Sequence, residues 1–297
     1  MPSTRGAFAQ LLAQGLFSVI YDQLQSHPEE YSQIYNIYSS SQAYEEDQIV
    51  AGLGAIPLKP EGEPIALDEP IQGGSLRYTH LSYGMGFQVT REMWDDDKYG
   101  IMKKVSTDFA GSIRQTVEAA AADKLNNVTG TTTGIDGETI AMTAHPLLGG
   151  GTYSNRSATD IALSISGLQE IIILFEQMTN ERGLLRRLVP ETLLISTSQQ
   201  FVAGEILHSQ YKPYTGHNEV NVMQGRLAPM VNHYLSSTTA WHVFAAKSEH
   251  SWKFFWRSQP TFDSQDDFFT KGASFSTFFR FCCGVTYWQG YAYSNGV

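Results

Sequence analysis

The chain has 297 residues, of which 42% are hydrophobic, 12% aromatic and only 17% charged. Disordered chains need high charge and few aromatics, so this composition excludes one. A net charge of −10 argues against a general nucleic-acid binder, whose affinity comes from Lys and Arg on phosphates. The excess is not spread evenly: residues 1–97 hold four basic and 14 acidic residues, and the rest is neutral. A charged share below the usual ~25% suits a chain whose surface is covered by partners, because interfaces lose charge and gain aromatics.

Phe8, Leu11, Leu12, Leu16, Val19, Ile20 and Leu24 recur at helical spacing, so residues 7–25 are predicted to be an amphipathic helix. Its polar face has almost no Lys or Arg, which disfavours a membrane surface. No apolar run approaches the ~18 residues of a membrane span. His27-Pro28 ends the element. Residues 29–50 are polar and carry Tyr31, Tyr35, Tyr38 and Tyr44. They have little from which to build a core, and are expected to form an arm or surface loop with tyrosine anchors.

Residues 51–75 hold four prolines and five glycines, which exclude helix and central strand and predict a long extended loop or edge ribbon. Alternation from Leu76 through Tyr78, His80, Met85, Phe87 and Val89 predicts a strand, bent at Gly84 and Gly86. A long helix is expected over 98–126, with apolar residues at Ile101, Val105, Phe109, Ile113, Val117, Ala121 and Leu125. Each i+4 step turns this stripe by ~40°, so different layers must cover it along its length. Residues 128–158 read as loop and 160–179 as helix. Leu193-Leu194-Ile195 reads as a buried strand and 198–208 as helix. Aromatic strands follow at Trp241–Ala245, Trp252–Trp256 and Phe275–Tyr287. The order lacks regular strand–helix alternation and predicts an α+β fold.

The carboxylate run Asp95-Asp96-Asp97 is the most conspicuous chemical cluster. It could hold a divalent cation, or favour the positive end of the long helix. Three consecutive residues point in different directions, so the helix-end reading is preferred. The eight histidines form no HxxxH pattern, and no GxSxG, phosphate-loop or GxGxxG motif occurs. Cys282 and Cys283 are adjacent, with Cα atoms ~3.8 Å apart, too close for an ordinary disulfide. Their aromatic surroundings would keep the thiols inert, and a reducing, cytoplasmic setting is expected. No catalytic residue, cofactor or metal site is predicted.

The organisation resembles the major capsid proteins of tailed bacteriophages. The resemblance rests on the order of a polar arm, a Pro/Gly-rich loop, Val89-Thr90-Arg91-Glu92 with the acidic run, and a long helix. His145-Pro146-Leu147-Leu148 with Tyr153-Ser154-Asn155, then Pro190–Ser196, then Trp241-His242-Val243-Phe244 extend it over nearly the whole chain. It implies an N-terminal arm at 1–44, an extended loop at 45–88 and a peripheral domain at 89–159 with its spine helix. It also implies an axial domain at 160–245, peripheral strands at 246–287, and a tail at 288–297 closing on the axial domain. Hexamers and pentamers would build an icosahedral shell around double-stranded DNA, assembled in the bacterial cytoplasm without a membrane or sequence-specific DNA binding. A scaffold protein, separate or supplied as a removed leader, and a portal would be partners.

On that reading the subunit contacts would pair acidic Glu61, Glu63, Asp68 and Glu69 with a neighbour's Arg182, Arg186 and Arg187, or with Lys103 and Lys104. Lys59 is the only loop lysine that could cross-link, and a noncovalent shell is expected. The alternatives are an encapsulin-like cargo compartment on the same fold and a metal-dependent hydrolase using Asp95–Asp97.

Overall fold

The computed structural model describes residues 17–90, 92–93, 96, 100–213, 219–267 and 272–297. The first half of the expected N-terminal helix lies outside them. Its second half is helical over 17–26 (α1). A single turn, α2 (Tyr31–Ile34), and a short strand, β1 (Asn36–Ser39), follow.

The long helix, α3, runs Ile101–Asn126, about 39 Å. It starts three residues later than its spacing predicts because Gly100 is left-handed, at φ 69°, a conformation that ends helical continuity. Ile101 is 52% exposed, whereas Phe109, Ile113, Val117, Ala121 and Leu125 are buried. Those five share one core with Tyr31, Ile34 and Tyr35 on one side and Phe254, Phe279 and Phe281 on the other. Two layers thus cover a stripe that winds around the helix.

The 29–50 segment is therefore not a bare arm. Tyr31 and Tyr35 are buried, and the Tyr35 hydroxyl donates to the Ala121 carbonyl at 2.8 Å. Tyr38 and Tyr44 do stay exposed. What supplies this core is helix α3, some 85 residues away in sequence.

The first sheet has the order β1–β10–β11–β4, with β4 at Leu81–Val89, β10 at Trp252–Asp266 and β11 at Ala273–Val285. Strand β1 lies parallel to β10, and the other pairings are antiparallel. Phe275, Thr277, Phe279 and Phe281 alternate inward along β11 while Phe278 faces out. Gly84 and Gly86 do not bend β4; they sit in continuous register with Phe278 and Ser276. A Cβ on Gly86 would come within 2.8 Å of the Phe275 carbonyl oxygen, so close backbone approach is what requires glycine there.

The second sheet has the order β12–β9–β7–β8: β7 Pro190–Ile195, β8 Ala228–Val231, β9 Trp241–Ala245 and β12 Tyr291–Ser294. Its alternation feeds two cores. Leu193, Ile195, Trp241, Val243 and Ala292 face the helices α4 (Ile165–Glu176) and α5 (Gln200–His208). Leu194, Phe244, Tyr291 and Tyr293 face the core under α3. Ser164 caps α4, its hydroxyl accepting from the Gly167 amide at 3.1 Å. The result is an α+β protein with two sheets that share the core under α3.

A separate antiparallel hairpin pairs β2 (Tyr44–Ala51) with β3 (Ile71–Thr79). The predicted strand over 76–89 is thus two strands in different sheets, divided at His80. The inward face shifts there from even positions, Leu76, Tyr78 and His80, to odd ones, Tyr83, Phe87 and Val89, a one-residue slip that a single continuous strand would not show. The remaining two-stranded piece, β5 (His145–Pro146) with β6 (Thr152–Tyr153), lies in the predicted loop 128–158.

Candidate functional site

The hairpin tip between Ala51 and Ile71 is the most exposed part of the molecule. Every residue from 55 to 70 is exposed, including Ile56 at 97%, Leu67 at 95% and Leu58 at 93%. Covering such a side chain is worth roughly 1.5–3 kcal/mol, so the tip holds unspent apolar surface. Four prolines restrict its backbone, which lowers the entropy cost of docking it.

The hairpin base is tied to the body. Asp47 on β2 accepts from Lys253 Nζ and from the Thr286 hydroxyl, each at 2.6 Å. The Tyr78 hydroxyl on β3 meets Thr286 at 2.8 Å. At the tip's root, Asp68 accepts from Arg182 at 2.5 Å and from the Gly54 amide at 2.7 Å. The Arg182 guanidinium holds the Asp68 carboxyl below the usual carboxylate range. The structure thus joins two of the expected contact residues, but within one chain and not across a subunit boundary.

Lys59, Glu61, Glu63 and Glu69 lie on the exposed tip, and Lys103 and Lys104 are exposed in the first turn of α3. Arg186 donates to the Glu249 carbonyl at 3.2 Å. Arg187 lines an open groove with Val189, Pro190, Arg226 and Leu227. Glu191 and Glu249 line the same groove, and Arg226 pairs with Glu176 at 2.8 Å, so its charges are mixed.

Asp95 and Asp97 lie outside the described residues. Asp96 sits in a turn with its amide donating to the Glu92 carbonyl at 3.0 Å. No acidic residue occupies the first turn of α3, and the helix-end effect fades beyond one turn. Asp96, the one described member of the run, therefore lies before the first turn, because Gly100 starts the helix beyond it. Among the described residues no group of three or more His, Cys, Asp or Glu could hold a metal ion.

Sequence reading missed the clamp on the N-terminal segment. Arg114 on α3 donates to Glu29 and to the Leu24 carbonyl, each at 2.7 Å. The buried Glu118 carboxylate accepts from the Glu30 and Tyr31 amides, each at 2.9 Å, and so caps α2. Burial pushes the Glu118 carboxyl up. Glu30 in turn meets His233 Nδ1 at 2.5 Å. The signal was a charged residue inside an apolar helical stripe. Glu118→Ala leaves two amides unsatisfied and is expected to cost about 2–4 kcal/mol, with faster proteolysis before residue 36. Chemical denaturation and limited proteolysis check both.

A second missed latch is buried under Trp288. His145 Nδ1 meets Asp136 at 2.7 Å, Nε2 meets Asn155 at 3.1 Å, and its ring stacks on Trp288. With both nitrogens bonded inside the fold, His145 staples the 128–158 segment. Burial pushes the Cys282 and Cys283 thiols up to about 12, which makes them poor nucleophiles.

The profile of the phage capsid protein family matches residues 74–294. Curated protein sequences give no significant match. Among solved structures, the capsid of cyanophage P-SCSP1u is 10% identical, with a TM-score of 0.59 over 90% of this chain and 87% of that one. The procapsid of bacteriophage JBD30 is 14% identical, with a TM-score of 0.54 over 97% and 75%. A virus-like particle from Pyrococcus furiosus is 9% identical, with a TM-score of 0.55 over 95% and 98%. The long helix beside two sheets, the projecting hairpin and a family match over most of the length lead to one conclusion: this chain belongs to the phage capsid protein family and is a structural major capsid protein of a virion shell.

Proposed function

We propose that the subunit closes its shell through the hairpin tip at 52–70, which lies on a neighbouring copy within hexamers and pentamers. The observation that carries this is the tip's near-complete exposure of Ile56, Leu58 and Leu67 on a base tied by Asp47 and Asp68. A solitary subunit has no reason to hold such surface rigidly in water. On this reading the body of the loop is 44–79, and β4 belongs with α3, β10 and β11 in the peripheral domain. Residues 160–245 with the 288–297 tail form the axial domain, and 1–44 the arm. Glu61, Glu63 and Glu69 meet basic groups of the neighbour, for which Arg187 is better placed than Arg182, which Asp68 engages, or Arg226, which Glu176 engages.

The shell encloses double-stranded DNA that it does not grip, in keeping with a net charge of −10. Scaffold and portal proteins assist its assembly in the bacterial cytoplasm. Sedimentation of the purified chain is expected to show capsomers or shells, and reducing denaturing gels a single band near 33.0 kDa. A compact lone subunit at high concentration overturns the assembly reading. A ladder removed by Lys59→Arg overturns the noncovalent one. Cargo protein inside the particles, in place of DNA, favours an encapsulin-like compartment.

A further inference from the structure

The point where the hairpin leaves the first sheet carries a cluster of polar groups that the shell reading does not use. His80, between β3 and β4, is 5% exposed. Its Nε2 lies 3.3 Å from the Ser40 hydroxyl oxygen. That oxygen also accepts from the Gln42 amide and donates to Glu45. With its proton committed to Glu45, Ser40 must accept from His80, so Nε2 carries the hydrogen. His80 Nδ1 is then a bare lone pair, and it is buried without a partner.

Two arginines come to the same corner of the sheet, one on β11 and one on β10. Arg280 on β11 is itself the register partner of Ser82 on β4 and of Ser258 on β10, which places it two residues diagonally from His80, and its Nε is buried without a partner. Arg257 is the extra residue in the β10 irregularity, where Trp256 pairs with Phe281 and Ser258 with Arg280. Its guanidinium donates to the Ser40 carbonyl at 3.4 Å. Burial and both arginines hold His80 below the usual imidazole range, while Glu45 opposes them. The cluster thus holds two guanidinium charges, one carboxylate and a neutral imidazole.

We propose that His80, Arg257 and Arg280 form a binding site for a single oxyanion, a carboxylate or a phosphate-like group. The anion accepts from Arg280 and Arg257 and from His80 Nδ1, which takes up a proton as the anion enters. The proton satisfies the orphaned nitrogen and offsets one negative charge of the anion, and a second negative charge, as on sulfate, balances the second arginine. Neither a neutral ligand nor a cation does both. The site stands at the hairpin's hinge, so its occupation stiffens the angle at which the tip projects. The groups that face His80 are Ser40, Glu45, Arg257 and Arg280, and Glu45 is the one that competes with the anion.

Sulfate is the probe, because it does not titrate between pH 6 and 8. Thermal unfolding of the purified full chain is followed against sulfate, with chloride at matched ionic strength as control. The expected result is saturable stabilisation that chloride does not reproduce. Its half-saturating concentration rises with pH, by up to about tenfold per unit because one proton is taken up. Arg280→Gln and, separately, Arg257→Gln lose the saturable part, and His80→Gln loses the pH dependence. Two conservative arginine variants are used so that misfolding of one leaves the other to decide. Uptake by both unassembled and assembled protein identifies a solution anion. Uptake by unassembled protein alone identifies a carboxylate supplied by a neighbouring copy. No saturable sulfate effect in unassembled protein at pH 6, or an effect unchanged in folded Arg280→Gln and Arg257→Gln, overturns the site. Neither outcome bears on whether the chain forms shells.

Discussion

Replacing residues 55–67 with two glycines should leave the subunit folded and abolish closed shells. Every residue removed is exposed, so no core is lost, and surface changes of this kind usually shift stability by under about 0.5 kcal/mol each. Gly54 and Asp68 already meet through a 2.7 Å hydrogen bond, so a two-glycine bridge spans a gap that the fold has closed. The Asp68–Arg182 pair and the whole β2–β3 ladder remain. Four large apolar side chains that a neighbour would cover are gone: Ile56, Leu58, Ile65 and Leu67. At roughly 1.5–3 kcal/mol per covered side chain, each lost contact removes several kcal/mol, repeated at every subunit. Circular dichroism and thermal unfolding check the fold, and electron microscopy checks closure. Normal shells from this variant would remove the tip from the assembly contacts.

Acid should destabilise the subunit steeply from about pH 6.5 downward, before most carboxylates titrate. His242 on β9 is buried against Tyr291, and burial lowers its pKa to about 3. His250 is lowered to about 4, again chiefly by burial with Lys247 adding. Both are neutral in the folded chain, whereas an unfolded chain protonates them near pH 6.5. Below that pH the unfolded state binds more protons, so stability falls as pH falls. Each histidine contributes up to about 1.4 kcal/mol per pH unit, His250 to about pH 4 and His242 to about pH 3. Other groups titrate too, so the test is a difference. Denaturation of wild type and His242→Phe across pH 4–7 should show a shallower slope in the variant, whatever its absolute stability. Equal slopes would mean that His242 is not buried neutral.

Local patterns were legible and distant partners were not. Trp241–Ala245 stands where its apolar run predicts, because a strand buried on both faces needs no information from elsewhere. The tip is readable from Pro57, Pro60, Pro64 and Pro70, whose effect on the backbone is intrinsic. β10 runs ten residues past Trp256, through Pro260, a residue that central strands disfavour. It is tolerated because it falls within a register irregularity between Ser258 and Thr261, where no ladder bond is lost. The clamp by Glu118, the Asp68–Arg182 pair and the His80 cluster join residues between 40 and 217 positions apart. Nothing in the spacing of either partner announces such a pair. Of the carboxylates flagged by sequence adjacency, Asp96 lies before the first turn of the helix that follows it.

The most direct test of the account is negative-stain electron microscopy of the purified full-length chain over a range of concentrations. The account predicts hexameric or pentameric rings at low concentration and closed icosahedral shells at high concentration. A uniform field of compact single subunits at every concentration, in protein shown to be folded, would contradict it.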